Sequence, residues 1–340
     1  MNLLEWLMNP KDHPASDAND RIFPPTFLAR KQMKNRPVMG LAIVLLCVLA
    51  CSWPATSQTT VKNIDRAAPV GARAAALGDS YIAEATDAGD LFGNPATLAF
   101  LIEWSVFMSH SIERKDEMMS ENLALAFPSG GVAGFGLGVS VAHTGYIKDS
   151  PRASTKMRVL QYLFDIGYAQ KISNSLGVGA NLGLRFVESG EFRLRELTPA
   201  LGFFYTPSPE ISYGLIYSDQ GSPLEFTYDS SSATWKTEDL QQTLQIGLTL
   251  RLHLWRKNPT LTMALANQKD FHVHGITYKG GVEFQPIGLL AFRAAYFVAP
   301  DVIYPKYGVG LNIGQLRIDY AISPSRLSDR FHEMTAVLSF

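Results

Sequence analysis

The chain has 340 residues, a formal net charge of -1, 46% hydrophobic residues, 18% charged residues and two cysteines. A near-neutral balance argues against nucleic acid as a partner, because phosphate binding needs a basic surface. The charged fraction lies below the roughly one quarter usual in soluble domains, a composition compatible with a surface that faces lipid.

Residues 1–32 resemble no part of an export signal, so translation is expected to start at Met33 or Met39. The one long apolar run follows, from Gly40 to Cys51. Basic residues precede it (Arg30, Lys31, Lys34, Arg36) and the small residues Ala55 and Ser57 suit a cleavage site. This pattern predicts a signal peptide over 33–57, leaving Gln58 as the mature N-terminus. A single anchoring helix is the alternative, but the run is short of the ~20 residues a spanning helix needs. The stretch from Val48 to Cys51 also resembles a lipoprotein processing box, with Cys51 as the acylated residue; a cysteine inside the apolar core of the signal is the plainer reading. Cys47 and Cys51 both fall in the signal. The mature chain is therefore expected to lack disulfides, thiolate nucleophiles and cysteine-ligated metals.

Residues 58–102 hold no regular alternation. They contain Gly71, Arg73, Gly78, Asp87, Asn94 and Pro95 among apolar residues such as Leu77, Tyr81, Ile82, Leu91, Phe92 and Leu98. Gly78, Gly89 and Gly93 permit tight bends, and Asn94 with Pro95 would end a short helix or reset the chain direction. A plain linker would not need so many apolar side chains.

Beyond residue 102 a period of two recurs. Apolar residues take the even positions of 176–186 and of 244–254, while Gly, Asn, Gln, Thr, Arg and His take the odd ones. Residues 135–141 and 307–313 alternate in the same way. Strand side chains point to opposite faces in turn, so each segment has one apolar face and one small or polar face. Strands are predicted at 103–111, 119–127, 132–143, 158–171, 176–187, 192–206, 210–218, 242–255, 260–267, 273–285, 289–298, 306–313, 315–322 and 331–340. These are about fourteen segments, each near the ten or so residues of a tilted membrane-spanning strand. Short Gly, Pro, Asn and Ser turns alternate with longer polar connections, as in barrels with short periplasmic turns and longer outer loops. The connection 188–191 is scarcely longer than a turn. A soluble β-sandwich also alternates, but it would not need apolar faces unbroken over about ten residues or a closing strand that sets Met334, Ala336, Leu338 and Phe340 on one face. The expected fold is a transmembrane antiparallel β-barrel over 103–340, closed because unpaired backbone in hydrocarbon is costly. The glycine faces (Gly177, Gly179, Gly183; Gly308, Gly310) belong on the lumen side.

Arg185, Arg251, Glu283, Arg293, Arg317 and Asp319 fall within strands. An Arg or Lys facing mid-bilayer lipid costs roughly 2–4 kcal/mol, so these residues are expected to face the lumen; Arg185 and Arg251 have the parity for it. In the long loop 219–241, Phe226 and Trp235 suit binding of a partner or an apolar ligand, whereas Tyr228 suits an interfacial girdle. His272 and His274 share one face at a strand start, but no carboxylate has the spacing to complete a metal site, and they read as polar rim residues. No catalytic or nucleotide-binding motif appears. The sequence therefore predicts no enzyme, no metal and no cofactor.

Gly71 to Ala74, Leu77, Gly78, Asp87 and Asn94 to Ala96, with later segments at 281–284 and 290–296 and the closing strand ending in Phe340, resemble the PorV/PorQ family. That family is related to the FadL-type outer-membrane transporters. Phe92 and Gly93 depart from its pattern, in which an aromatic directly precedes the Asn-Pro-Ala triplet. The resemblance implies a barrel of about fourteen strands in a bacterial outer membrane, with residues 58–102 folded into the lumen as a hatch. Arg185 and Arg251 would then either pair with hatch carboxylates such as Asp87 or Asp90, or stand as solvated lumen charges. Two functions follow from the resemblance. The one the resemblance favours is a part in the type IX secretion route, binding exported proteins with a C-terminal sorting domain; the alternative is passage of hydrophobic small molecules.

Overall fold

The computed structural model describes residues 70–113, 118–144, 147–148, 156–189, 192–219, 222–227, 242–254, 259–271, 275–299, 302–323 and 331–340. The expected leader 1–32, the signal peptide 33–57 with Cys51, and residues 58–69 lie outside them.

The strands are β1 (Ser105–Glu113), β2 (Met118–Ser129), β3 (Ala133–His143), β4 (Ile147–Lys148), β5 (Lys156–Met157), β6 (Val159–Lys171), β7 (Leu176–Ser189), β8 (Phe192–Ser208) and β9 (Ile211–Asp219). They continue as β10 (Ser222–Thr227), β11 (Gln242–His253), β12 (Thr260–Asp270), β13 (Ile276–Ile287), β14 (Leu290–Ala299), β15 (Val302–Ile313), β16 (Leu316–Ser323) and β17 (Phe331–Ser339). Fourteen of them close into one antiparallel ring, from β8 round through β1 and β17 to β9, which pairs back on β8. The seam between β1 and β17 runs in register from Ser105 opposite Ser339 to Glu113 opposite Phe331. Closure leaves every wall strand with two neighbours, which is what a sheet in hydrocarbon requires.

The predicted alternation is present in the wall. Along β6, Asp165 is buried on the inside while Phe164 and Ile166 are 48% and 65% exposed on the outside. Leu182, Phe203 and Val309 are likewise turned outward, and Asn181, Gln245 and Glu283 inward. Aromatics meet on the outer surface near the short-turn end, as in the edge-to-face pair Trp104 and Phe127, 5.1 Å apart.

Three differences from the predicted strands have local causes. The connection at 188–191 is short because the loop's length lies in its strands: β7 and β8 remain paired as far as Ser189 opposite Phe192. The projecting part of β8 takes β10 as a second partner along 193–197, whereas β9 pairs with it from Ala200 onward. Thr198 and Pro199 fall at the handover, so the proline, which has no N–H to give, sits where the ladder changes partner. Strand β15 begins at Val302, four residues before its predicted start, and runs through Pro305. Pro305 faces Tyr296 of β14, but β16 pairs with β15 only from Tyr307 onward. Pro305 thus occupies an edge position, where a missing donor costs nothing.

Val309 has ladder partners on both sides, Phe292 and Tyr320. Val309→Pro should lower the guanidinium midpoint of the barrel, by about 1–3 kcal/mol for a buried ladder group left unpaired. Pro305→Ala should stay within about 0.5 kcal/mol of the parent.

Candidate functional site: a hatch seated in the barrel

Residues 70–101 lie inside the ring. The segment has one short helix, α1 (Ala72–Ala76), and two 3-10 turns, Ala88–Phe92 and Pro95–Phe100. Each turn is capped by its own sequence. Asp87 accepts a hydrogen bond from the Gly89 N–H at 2.7 Å, and Asn94 accepts one from the Ala96 N–H at 3.1 Å. Pro95 follows at the first helical position, where its missing N–H is harmless. Asn94 and Pro95 therefore start a helical turn rather than end one. Gly78 bends the chain with φ of 72°. Gly89 serves a different need from the expected bend: a Cβ there would lie 2.6 Å from the Phe107 ring.

The wall receives this segment where it has no side chains. A Cβ on Gly179 would stand 2.6 Å from the Ala96 nitrogen, and one on Gly281 would stand 2.5 Å from the Leu77 carbonyl oxygen. Added at Gly134, Gly202 or Gly214, it would overlap Leu98, Asn94 or Ile82. Leu91 and Leu98 pack against Gly136 and Gly167 in the same way. The lumen glycines let hatch backbone touch wall backbone, and the hatch's polar groups are then satisfied by the wall. Glu333 accepts the Gly71 N–H at 2.8 Å and Thr335 accepts the Ala72 N–H at 2.7 Å, which provides for two free donors at the start of α1. Asn181 donates to the Leu91 carbonyl at 2.8 Å. The Asn94 amide donates to Phe203 of the wall and to Ile82 of the hatch, both at 2.9 Å.

Charges form a second system. Arg73 makes a two-pronged contact with Glu283 of β13, both bonds 2.9 Å, and reaches Glu84 at 3.1 Å and the Tyr81 hydroxyl at 2.7 Å. Glu84 in turn holds Arg251 of β11. Glu283 also accepts from Arg293 of β14 at 2.6 Å; Arg293 donates to Asp319 of β16 at 2.7 Å; Asp319 accepts from Arg317 at 2.8 Å; and Arg317 holds Asp87. The result is an unbroken series of four arginines and four carboxylates that crosses between hatch and wall three times. Lys306 adds a separate link to Asp79 at 2.5 Å. Burial works against the Arg73 charge, but Glu283 and Glu84 outweigh it and hold its pKa well above the usual arginine value. Burial pushes the Tyr81 hydroxyl up, with Arg73 opposing. Asp90 is pushed well above the ordinary carboxylate range by burial and by the neighbouring Asp87 charge, against bonds from Thr86 that favour ionisation. Between these groups a cavity of about 20 Å³ remains, lined by Arg73, Tyr81, Asp87, Asp90, Phe107 and Arg317 among others. That is room for about one water molecule.

The residues singled out in the sequence divide as follows. Gly71, Arg73, Gly78, Asp87, Asn94 and Pro95 all lie in the buried hatch. Arg251 meets a hatch carboxylate, though it is Glu84 rather than Asp87 or Asp90. Arg185 meets none: it bonds Glu196 of β8 at 2.6 Å, the residue directly opposite it in the β7–β8 register. Glu84, Asp79 and Lys306 were not anticipated. The hairpin register carries a readable signal for Arg185 with Glu196 and for Glu283 with Arg293; Glu84 has no such local clue. Strand β10 includes Phe226, opposite Leu194, whereas Trp235, His272 and His274 lie outside the described residues.

Solved structures of transport proteins share the fold. The Ralstonia pickettii toluene transporter TbuX is 14% identical, with a TM-score of 0.57 over 80% of this chain and 98% of that one. The Pseudomonas putida toluene transporter TodX is 14% identical, with a TM-score of 0.54 over 80% and 97%. The CymD monoaromatic hydrocarbon channel is 13% identical, with a TM-score of 0.57 over 80% and 98%. No family model and no curated protein matches the sequence. These likenesses show the fold, a fourteen-stranded antiparallel barrel, and they do not single out the PorV/PorQ branch that the sequence resembles.

Arg73→Ala would leave Glu283 and Glu84 short of a buried partner. It should destabilise the seated hatch by about 3–5 kcal/mol, read as faster protease cleavage within residues 70–101 of the folded barrel. Asp90→Asn should act in the opposite sense. The seated hatch raises the Asp90 pKa, so seating is strongest below the free carboxylate value of about 3.9 and weakens as pH rises through the raised value. Cleavage of the Asn variant should be slower than that of the parent at about pH 8, the difference fading towards about pH 4.

Proposed function

We propose that this chain is a bacterial outer-membrane protein that passes small hydrophobic molecules, with residues 58–102 as its hatch and a signal peptide over 33–57. The observation that carries the reading is a fourteen-stranded wall whose lumen is occupied by its own N-terminal segment. Barrels that work as open diffusion pores keep an aqueous channel; here the hatch runs through the lumen, and the cavity among Arg73, Asp90 and Arg317 has room for about one water molecule. Passage therefore requires part of the hatch to shift. Proteins of the same architecture and low sequence identity include a toluene transporter and a monoaromatic hydrocarbon channel, which supports a small apolar cargo. The outward belt of Leu, Ile, Val and aromatic side chains supports placement in lipid.

The reading that the sequence favours first, binding of exported proteins in the type IX route, would use the outer loops, and the comparisons support the second reading instead. Phe226 and Trp235 belong to that region, and no described contact favours a protein partner.

Uptake of a radiolabelled monoaromatic hydrocarbon into cells lacking their own carrier tests the proposal. Cells producing this barrel should take it up faster than cells with empty vector, with a small sugar unaffected. Equal hydrocarbon uptake in both, or recovery of secreted proteins sharing one C-terminal domain with the purified barrel, would overturn it.

A further inference from the structure

Arg293 stands apart in the charge series. Its side chain is 1% exposed, and both of its hydrogen-bond partners are wall carboxylates. It starts on β14 and reaches Asp319 on β16, passing over β15 at Gly310. A Cβ on Gly310 would sit 2.7 and 2.8 Å from the two terminal guanidinium nitrogens and 2.5 Å from Asp319. The bare position is what lets the bridge form.

On each side of this bridge a carboxylate serves two masters. Glu283 Oε2 accepts from Arg293 on the wall and from Arg73 on the hatch. Asp319 accepts from Arg293 on Oδ1 and from Arg317, which holds hatch Asp87, on Oδ2. Two latches thus meet at one residue. The first comprises Arg251, Glu84, Arg73 and Glu283; the second comprises Asp319, Arg317 and Asp87. Within these ion pairs the wall contributes four cations (Arg251, Arg293, Lys306, Arg317) and two acids (Glu283, Asp319), and the hatch contributes Asp79, Glu84 and Asp87 with Arg73. Opening the first latch removes Arg73 from Glu283 and leaves that carboxylate to Arg293 and the Gln285 amide. Opening the second removes Asp87 from Arg317, which then shares Asp319 with Arg293 and has no hatch carboxylate to hold. In either case the carboxylate shared with Arg293 shifts, and the hold of that guanidinium on the opposite carboxylate changes.

We propose that Arg293 is a positioning residue that couples the two latches, so that loss of either loosens the other. The coupling concerns the hatch itself and does not depend on what the barrel passes. It runs through a continuous set of bonds between ends on β11 and β16, neither of which touches the other.

The test is a double-mutant cycle on the two least buried arginines of the series, Arg251 and Arg317, whose side chains are 36% and 21% exposed, so that replacement disturbs the core least. Cys47 and Cys51 are replaced by Ala, and a single cysteine is placed at Ala85, a partly buried position between Glu84 and Asp87. Its rate of reaction with a thiol reagent in the folded full-length barrel reports hatch opening, and heat-modifiable gel migration verifies the fold. Arg251→Gln and Arg317→Gln should each raise the rate several-fold. Together they should raise it by clearly less than the product of the two changes, since coupled sites fail to add. In the Arg293→Met background the two changes should multiply. Fold-changes that multiply with Arg293 intact, or single variants that leave the rate unchanged, would overturn the proposal. If the Met variant does not fold, Arg293→Lys takes its place, because it keeps the charge and loses the planar fork that holds both carboxylates, and changes that still fall short of multiplying without that fork overturn the proposal.

Discussion

An interior that a barrel's own side chains cannot fill has to be filled by something else. Eight strands enclose a space that side chains pack, and sixteen or more leave a water channel. The fourteen strands of this wall fall between those limits. The N-terminal segment answers the problem, and the rest of the interior follows from that choice. Peptide groups brought into a lumen must be hydrogen-bonded there. The wall obliges by removing side chains where the hatch runs close, as at Gly179 and Gly281, and by offering Glu333, Thr335 and Asn181 where N–H or C=O groups would otherwise be orphaned.

Charge obeys the same constraint. A buried arginine is tolerated only when paired and fully hydrogen-bonded. Here each carboxylate in the series lies between two guanidinium groups, apart from Asp87 at its end. Arginine suits the task better than lysine, because a planar fork can hold two carboxylates in fixed directions at once. Arg73 and Arg293 both do so. The single lysine link, Lys306 with Asp79, stands outside the series as a point contact.

Most of the wall was legible because its signal is local. A period of two survives in any strand that has lipid on one side, and turns of Gly, Pro, Asn and Ser mark the ends. The misreadings arose where a second strand changed the meaning of a residue. Pro305 reads as a strand breaker in sequence, yet lies beyond the reach of β16 and breaks nothing. The 188–191 connection reads as a short loop, although the hairpin continues past the ring. The cost of a charge facing lipid placed Arg251, Glu283, Arg293, Arg317 and Asp319 in the lumen, with parity in support at Arg251. Neither could pair them, because Glu84 and Arg251 are brought together only by the way the hatch crosses the ring. Where two partners face each other in one hairpin, as Arg185 and Glu196 do, register would have been enough.

The seam joins the two ends of the wall. Trp104, the last residue before β1, exchanges backbone hydrogen bonds with Phe340, at 3.1 and 2.9 Å. The described hatch residues therefore leave the lumen at the seam itself, beside the pairing of β1 with β17 that finishes the wall. Closure and tether share one place, so whatever parts β1 from β17 opens the wall and slackens its contents together.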